Sequence, residues 1–284
     1  MRYCKVKNKS AIWLTGFLLI ILNSLNTFAQ TVYLPHYSTK DGLPSNNCFY
    51  MLQDQKGFIW IATDAGVSRF DGAVFENFSV DDGLPDNQIL QLREDSKGRI
   101  WFMALNGQLS YFLNGKIHNE KNNSNLKNLN FNGVVVSFLE DSKGRLWFGT
   151  NNNVIGVWDG TKTIKMVSKD SHFKYQNAYL YEDHNKHIKA FTNIAAFSYK
   201  NGSFTLTHQQ RYPLSYKTIY QRKNGIYFLD KDGLNHLSNT GLRQMLPIDQ
   251  KLLESNLGYM YMNDSELWIC NETGVKGMRY DGRS

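Results

Sequence analysis

Cysteine is scarce in this chain, with three residues among 284. Cys4 precedes the apolar segment at the N-terminus, so Cys48 and Cys270 are the two that remain for the rest of the protein. An exported protein could pair them. Each lies in a predicted strand, however, where a free and buried cysteine serves as a small hydrophobic residue. We expect both to be unpaired.

After residue 30, the sequence lacks a membrane-length apolar run, a heptad pattern and any sustained 3.6-residue periodicity. It also lacks a Gly-x-Ser-x-Gly elbow, a phosphate-binding loop and a paired catalytic motif. The first set of absences argues against a helical or membrane-spanning domain. The second argues against an enzyme, and we expect no catalytic residue, no cofactor and no metal.

Residues 1–29 read as a signal peptide that lies outside the fold. Four basic residues come first, an apolar run follows over residues 11–22, and Ala29 is a small residue before the expected cleavage point at Gln30. Twelve apolar residues are short for a membrane span. An uncleaved N-terminal anchor is the alternative.

The charge balance changes once this leader is removed. The full chain has 32 Lys and Arg against 25 Asp and Glu, and the leader contributes four basic and no acidic residues, which leaves 28 against 25. Because no basic stripe remains, we do not expect nucleic-acid binding.

A turn followed by an aromatic strand occurs three times, over 54–66, 95–107 and 141–150. Each copy begins with Asp-x-Lys-Gly, which favours a tight turn, and continues into a strand-like run centred on Trp60, Trp101 or Trp147. A later turn glycine returns every 39–45 residues, at positions 72, 115, 160, 202, 241 and 282. A repeat of this length indicates a propeller or another repeat array.

Each repeat has room for four short strands and none for a helix, so we predict an all-β fold: a β-propeller over residues 30–284 with six detectable four-stranded blades. An incomplete seven-bladed ring is the alternative. We expect a long exposed loop over 119–130. The predicted repeats span about 47–79, 88–119, 134–167, 178–208, 215–247 and 257–284.

Residues 32–38 match residues 74–79, the outer strand of the first repeat, and both are followed by Asp-Gly-Leu-Pro. Because 32–38 precedes this segment just as the outer strand of the first repeat does, we predict that 32–38 is also an outer strand and that it closes the ring in the last blade. A closed ring of six blades, or a fragment of a longer protein, would both fit.

The repeated Asp, Gly and Trp residues are predicted to serve blade architecture, because a ligand site would not need them in every repeat. Tryptophans would pack between blades, while Asp and Gly would shape turns. These residues are Asp54, Gly57, Trp60, Gly66, Gly72, Asp95, Gly98, Trp101, Gly107, Asp141, Gly144, Trp147, Gly160, Trp268 and Gly274.

Three other patterns are candidate sites. His184 and His187 have a metal-like spacing without further ligands, which favours an exposed turn. Carboxylate pairs at 94–95 and 140–141 occupy the same position in two repeats, which indicates that they serve the turn and not a catalytic site. Tyrosines in the divergent repeats could stack on a ligand, although sequence drift explains them as well; they are Tyr175, Tyr179, Tyr181, Tyr212, Tyr216 and Tyr220.

The repeat resembles that of the two-component regulator propeller family. The resemblance rests on Gly42-Leu-Pro-Ser-Asn46 and Gly83-Leu-Pro-Asp-Asn87, on the three Asp-x-x-Gly-x-Ile/Leu-Trp segments, and on the Asp-Gly turns. It is specific in repeats one to three, fair in repeat six and weak in repeats four and five. It implies a periplasmic sensor region that precedes a membrane helix and a histidine kinase.

The resemblance also implies partners: a small ligand of unknown identity, with an oligosaccharide as one candidate, and a downstream kinase or regulator, with a homodimer through the parent protein. We therefore expect a ligand-sensing input propeller without catalytic activity. An exported protein-binding scaffold and a polysaccharide-active lyase are the alternatives.

Overall fold

The computed structural model describes residues 36–152, 154–167, 177–192, 195–209, 219–222, 225–230, 233–238, 241–248, 257–262, 266–271 and 274–279. The predicted propeller is confirmed. Within the unit Ser38–Ser284, consecutive strands form six antiparallel sheets, five of them with four strands and the sixth with three described strands. Each sheet is one blade of a six-bladed β-propeller.

The strands follow the chain order within each blade. The first blade contains β1 (Cys48–Gln53), β2 (Ile59–Thr63), β3 (Gly66–Phe70) and β4 (Phe75–Phe78). The second contains β5 (Ile89–Glu94), β6 (Ile100–Ala104), β7 (Leu109–Leu113) and β8 (Lys116–His118), and the third β9 (Val135–Glu140), β10 (Leu146–Thr150), β11 (Val154–Trp158) and β12 (Thr163–Val167).

The later blades repeat this order. The fourth contains β13 (Tyr179–Glu182), β14 (Ile188–Phe191), β15 (Ala195–Lys200) and β16 (Ser203–Gln209). The fifth contains β17 (Ile219–Arg222), β18 (Gly225–Asp230), β19 (Gly233–Ser238) and β20 (Gly241–Leu246), and the sixth β21 (Leu257–Met262), β22 (Glu266–Asn271) and β23 (Gly274–Arg279).

The first strand of each blade lies innermost: β1 contacts β5, β13 contacts both β9 and β17, and β17 contacts β21. The core lies between the blades and not inside them. Five apolar clusters each join two consecutive blades, and the one between the first and second contains Trp60, Val67, Leu92 and Phe102. Burial of this apolar area is the main favourable term that holds one blade against the next.

Two short 3-10 turns, Thr39–Asp41 and Val80–Asp82, lead into the first and second blades with the same geometry. Ser38 and Ser79 each form a capping box with the aspartate three residues later, at distances of 2.8 to 3.0 Å. The two Asp-Gly-Leu-Pro segments therefore fold alike, and each occupies the same position ahead of its blade.

Several predictions lie partly outside the described residues. The signal peptide over 1–29 and residues 32–35 of the closing strand are among these, while residues 36–38 are described and are not in a strand. The last predicted turn, at 281–282, is also outside them. Among the described residues, no helix has the length and apolar character needed to cross a membrane.

Gly66 offers a test of how tightly the outer strands pack. Its φ is +124°, and a Cβ there would lie 2.2 Å from the carbonyl oxygen of Phe78. Gly57 has a φ of +91° and no neighbouring atom within 4 Å of such a Cβ. We expect Gly66→Ala to cost about 3 kcal/mol or more of unfolding free energy, and Gly57→Ala about 1 kcal/mol. Urea unfolding would measure both, and equal costs would contradict this packing.

Candidate functional site

The aspartate that opens each of the first three turns is buried and binds the tryptophan six residues later. The indole N–H donates to a carboxylate oxygen in each case: Trp60 to Asp54 at 2.8 Å, Trp101 to Asp95 at 2.7 Å and Trp147 to Asp141 at 2.8 Å. The other carboxylate oxygen accepts the backbone N–H groups two and four residues later, at 2.9 to 3.1 Å. These carboxylates therefore hold the turn and the strand together.

Arginines add charge to two of these sites. Arg99 Nε lies 2.5 Å from Asp95, and Arg145 Nε lies 2.7 Å from Asp141. Burial by itself would raise the pKa of Asp141, but hydrogen bonds from Trp147 and Arg145, with the charge of Arg145, hold that pKa below its ordinary value. The carboxylate is therefore ionised at neutral pH and accepts from all its donors.

Each of these tryptophans also packs against the blade that follows. Trp60 contacts Phe102 and Phe112 of the second blade at ring distances of 5.9 and 5.0 Å. Trp101 and Trp147 make similar contacts with the third and fourth blades. The indole thus links the turn of its own blade to the neighbouring blade.

The predicted turn glycines of the first three repeats all have positive φ, a conformation that favours glycine. They are Gly57, Gly66, Gly72, Gly98, Gly107, Gly144 and Gly160. Gly274 is the first residue of β23.

Trp268 differs from the other predicted tryptophans. Its side chain is 39% exposed, and its indole N–H donates to Glu266 at 3.3 Å instead of to a buried turn aspartate. The expectation that every repeat tryptophan packs between blades therefore does not describe this position.

In the carboxylate pairs at 94–95 and 140–141, the two side chains do not share a site. The aspartate binds the turn of its own blade, and the glutamate binds the turn of the preceding blade. Glu140 accepts the Ser96 backbone N–H at 2.7 Å and the Ser96 hydroxyl at 2.5 Å, and Glu182 accepts the same two groups of Ser142 at 2.9 and 2.6 Å. Glu94 accepts the Gln55 N–H at 2.9 Å. Each glutamate thus accepts hydrogen bonds from the turn of the preceding blade. Partial burial raises the pKa of Glu94.

The His184 and His187 pair lies on the exposed turn of the fourth blade, as the sequence indicated. His187 Nδ1 is 3.6 Å from the buried Asp183, and Lys189, at the tryptophan position, places Nζ 3.7 Å from the same carboxylate. In the described part of the chain, no group of three or more His, Cys, Asp or Glu side chains could hold a metal ion.

The structure describes three of the six tyrosines of the predicted cluster, and none of these three is exposed. Tyr179 and Tyr181 are buried in the cluster that joins the fourth and fifth blades, and burial raises the pKa of Tyr181 to about 12. Tyr220 is half-buried in β17, and Tyr175, Tyr212 and Tyr216 lie outside the described residues.

Cys48 is a free cysteine at an exposed position, so the expectation of a buried cysteine is wrong there. Partial burial, followed by the nearby charge of Asp64, raises the pKa of its thiol. The side chain of Cys270 lies outside the described residues.

The sequence analysis missed a cavity of about 550 Å³ beside the second blade. One wall is the 3-10 turn with Gly83, Leu84 and Pro85, and the other is the segment 119–130, which was predicted only as an exposed loop. Its lining residues are Val80, Asp81, Gly83, Leu84, Pro85, Gln108, Leu109, Asn119, Glu120, Lys121, Leu126, Leu129 and Asn130.

Asparagines fold the segment 119–130 over the blade. Asn119 donates to the Gly83 carbonyl at 2.8 Å, Asn122 to the Ile117 carbonyl at 2.9 Å, and Asn123 to the Tyr111 hydroxyl at 3.0 Å. Asparagine favours such local turns because its amide bonds nearby backbone groups. The asparagine-rich composition therefore specifies an ordered cover, and its occurrence in only one repeat was the signal in the sequence.

The cavity combines an apolar floor with a polar rim. Four buried leucines form the floor, Leu84, Leu109, Leu126 and Leu129. The rim has three half-buried carboxamides, from Gln108, Asn119 and Asn130, with the exposed charges of Asp81, Glu120 and Lys121. Gln108 Nε2 lies 3.4 Å from Glu120. Cavities of this size with a few convergent polar groups are typical of small-molecule sites.

The corresponding loop of the first blade has the same support from its outer strand. Asn77 donates to the Gly42 carbonyl at 2.9 Å, as Asn119 does to Gly83. A Cβ on Gly42 would lie 3.5 Å from the Phe75 side chain, and a Cβ on Gly83 would lie 3.6 Å from the Ile117 side chain. The outer strand thus supports the loop in both blades, while the covered cavity depends on the segment 119–130.

Comparison with known families supports the repeat assignment. The family model of the two component regulator propeller matches residues 42–65, 83–104 and 128–152. These three segments are similar to the two component regulator propeller repeat. Each matched segment includes one of the buried aspartates and the tryptophan bound to it. No curated protein matches the sequence as a relative.

Solved structures share the fold. The extracellular domain of a hybrid two component system from B. thetaiotaomicron has a TM-score of 0.59 at 17% identity, and the match covers 83% of this chain and 34% of that chain. A virginiamycin B lyase from Staphylococcus aureus has a TM-score of 0.58 at 13% identity, covering 82% and 84%. A gluconolactonase from Xanthomonas campestris has 0.52 at 11%, covering 82% and 86%. At these identities the likeness shows the fold alone.

The indole bond can be tested at Trp147. We expect Trp147→Phe to cost about 1–3 kcal/mol of unfolding free energy, because it leaves Asp141 without its buried N–H donor. Trp268→Phe is the matched control, and we expect a change within about 0.5 kcal/mol because that indole is exposed. Denaturant unfolding measures both, and a larger cost at Trp268 would contradict the assignment.

Proposed function

We propose that this chain is the ligand-sensing input propeller of a two-component signalling system, exported from the cytoplasm and read by a histidine kinase. The three family repeats support the link to two-component regulation. The extracellular neighbour from B. thetaiotaomicron shares the fold, which is consistent with an exported protein.

The observation that carries this proposal is the 550 Å³ cavity between the second-blade loop and the segment 119–130. The Asp-Gly-Leu-Pro turn occurs at the first and second blades, and in the described residues 36–152 the segment 119–130 adds a cover at the second. The cover gives this cavity a defined shape that the same turn of the first blade lacks. The same cover would report ligand binding if its Asn119 contact to Gly83 changed on occupation.

A short neutral oligosaccharide is the ligand class that the lining fits. Carboxamides and carboxylates on the rim can pair with hydroxyl groups, since each amide offers both a donor and an acceptor. The four leucines of the floor can cover the apolar side of a ligand of this size. The rim charges of Asp81, Glu120 and Lys121 sum to −1, which disfavours an anionic ligand and is compatible with a neutral one.

We propose that this propeller binds its ligand without transforming it. The repeated carboxylates are occupied by structure: Asp54, Asp95 and Asp141 bind their own turns, while Glu94, Glu140 and Glu182 bind neighbouring ones. The likeness to the lyase and the lactonase is a likeness of fold and does not favour either chemistry.

Titration calorimetry with a panel of neutral oligosaccharides tests the proposal. We expect at least one to bind the full chain with 1:1 stoichiometry. Gln108→Leu should weaken that affinity by at least about tenfold, because it removes a hydrogen-bonding rim group and costs about 1.4 kcal/mol.

Gln55→Leu is the matched control, since Gln55 is exposed on the turn of the first blade and does not line the cavity. Its affinity should equal that of the unchanged chain. Absence of binding across the panel, or equal loss in both variants, would contradict the assignment of this cavity as the saccharide site.

A further inference from the structure

Ser110 has a fully buried hydroxyl for which the described residues provide no hydrogen-bond partner. Its side chain is 0% exposed. A buried hydroxyl without a partner is unfavourable, because it loses its hydrogen bonds to water and gains none in return. Ser110 lies in β7 next to Leu109, one of the leucines that line the cavity. The unmade hydrogen bond is therefore adjacent to the proposed site.

The first blade shows the hydrogen bond that a serine at this position makes. Ser68 pairs with Asn77 across β3 and β4, and its hydroxyl donates to the Asn77 carboxamide oxygen at 2.7 Å. The Asn77 amide nitrogen donates to the Gly42 carbonyl at 2.9 Å. The serine, the asparagine and the loop carbonyl thus form a continuous chain of hydrogen bonds.

The second blade has the same residue types in register, but the chain of hydrogen bonds is interrupted at the serine. Continuing the register of β7 and β8 by one position places Ser110 opposite Asn119, which donates to the Gly83 carbonyl at 2.8 Å. The Asn119 carboxamide oxygen accepts the backbone N–H groups of Lys121 at 2.9 Å and Asn122 at 3.3 Å. These two donors belong to the segment that covers the cavity. The cover thus occupies the acceptor that the serine uses in the first blade.

We propose that the Asn119 carboxamide oxygen is a switch between two donors and that it opens and closes one end of the cavity. In the closed arrangement, which the structure shows, it holds the turn 119–122 and leaves Ser110 without a partner. In the open arrangement it accepts the Ser110 hydroxyl, as Asn77 accepts that of Ser68, and the turn is released.

The hydrogen bonds of the turn explain why the closed arrangement is the one observed. The Asn122 side chain donates to the Ile117 carbonyl at 2.9 Å and accepts the Asn119 N–H at 3.0 Å. Lys121 and Asn122 are exposed, so their N–H groups can bind water once the turn is released. Opening therefore exchanges several hydrogen bonds near the surface for one buried hydrogen bond, and the Ser110 hydroxyl reduces the difference between the two arrangements.

The opening is confined to this turn. Leu126 and Leu129 are buried in the cluster that joins the second and third blades, and this apolar contact keeps the rest of the segment in place. The turn is less firmly held, because Glu120 and Lys121 are exposed and Gln108 Nε2 lies 3.4 Å from Glu120. Since Glu120 and Lys121 line the cavity, their displacement opens it.

The switch regulates the site of the proposed function, and it rests on that function because the ligand is what favours closure. The closed turn contributes Asn119, Glu120 and Lys121 to the cavity lining. A molecule in the cavity therefore contacts the closed arrangement and shifts the equilibrium towards it. The Ser110 hydroxyl opposes this shift and thereby lowers the affinity of the cavity for its ligand.

Hydrogen exchange of the full chain without ligand tests the switch. Ser110→Ala removes the hydroxyl that competes for the Asn119 oxygen, so the closed turn should become more populated. We expect the backbone amides of Lys121 and Asn122 to exchange about tenfold more slowly, as expected when a buried hydroxyl is unsatisfied in one arrangement only. Exchange followed by NMR resolves these two amides individually.

Ser68→Ala is the matched control, because that hydroxyl has its asparagine partner in the structure. It should leave the exchange of Lys121 and Asn122 unchanged and lower the midpoint of urea unfolding, since it removes a hydrogen bond that is made. Ser110→Ala should not lower that midpoint, because it removes a hydroxyl that the described residues leave unpaired.

Unchanged or faster exchange at Lys121 and Asn122 in the Ser110→Ala chain would overturn the inference. So would a slowing of the same size in the Ser68→Ala chain, or a lower urea midpoint for Ser110→Ala. Because this experiment contains no ligand, its outcome is separate from the calorimetry. Saccharide binding with unchanged exchange would contradict the switch alone, and slowed exchange without saccharide binding would contradict the proposed ligand alone.

Discussion

The structure depends on a hydrogen bond between a buried carboxylate and an indole. Asp95 shows the arrangement: one oxygen binds two backbone N–H groups of its own turn, and the other binds the Trp101 N–H at 2.7 Å. A buried charge is stable only when its hydrogen-bonding capacity is used, so this carboxylate fixes both the turn and the strand. Because the indole ring packs on the next blade, the same contact sets the spacing between blades.

Glu94, Glu140 and Glu182 connect these turns to the next blade by hydrogen bonds. Glu140 reaches back to Ser96, which lies in the turn that Asp95 organises. Each of these junctions therefore has a polar contact at the turn and an apolar contact at the tryptophan. On such a scaffold an inserted segment can form a cavity without disturbing its neighbours, as the segment 119–130 does beside the second blade. The proposed ligand site thus lies between a hydrogen-bonded blade and the segment 119–130.

The sequence was sufficient to predict the blades, because the Asp-x-Lys-Gly turn and the aromatic strand are local features of one repeat. It was insufficient at Trp268 and Cys48, where burial depends on whether another blade covers the residue. The cavity was also missed, because the asparagines of 119–130 indicate a loop from composition alone, whereas their order comes from contacts with Gly83, Ile117 and Tyr111. Burial and loop structure could therefore not be predicted from the sequence where contacts with other segments decide them.

A double-mutant cycle between Asp95 and Trp101 tests the central interaction most directly. Unfolding free energies would be measured for the unchanged chain, Asp95→Asn, Trp101→Phe and the double variant. If the carboxylate–indole bond organises the blade, the two changes should be non-additive by about 1–3 kcal/mol. Additive costs, with a coupling energy near zero, would show that the two residues stabilise the propeller independently and would contradict this account.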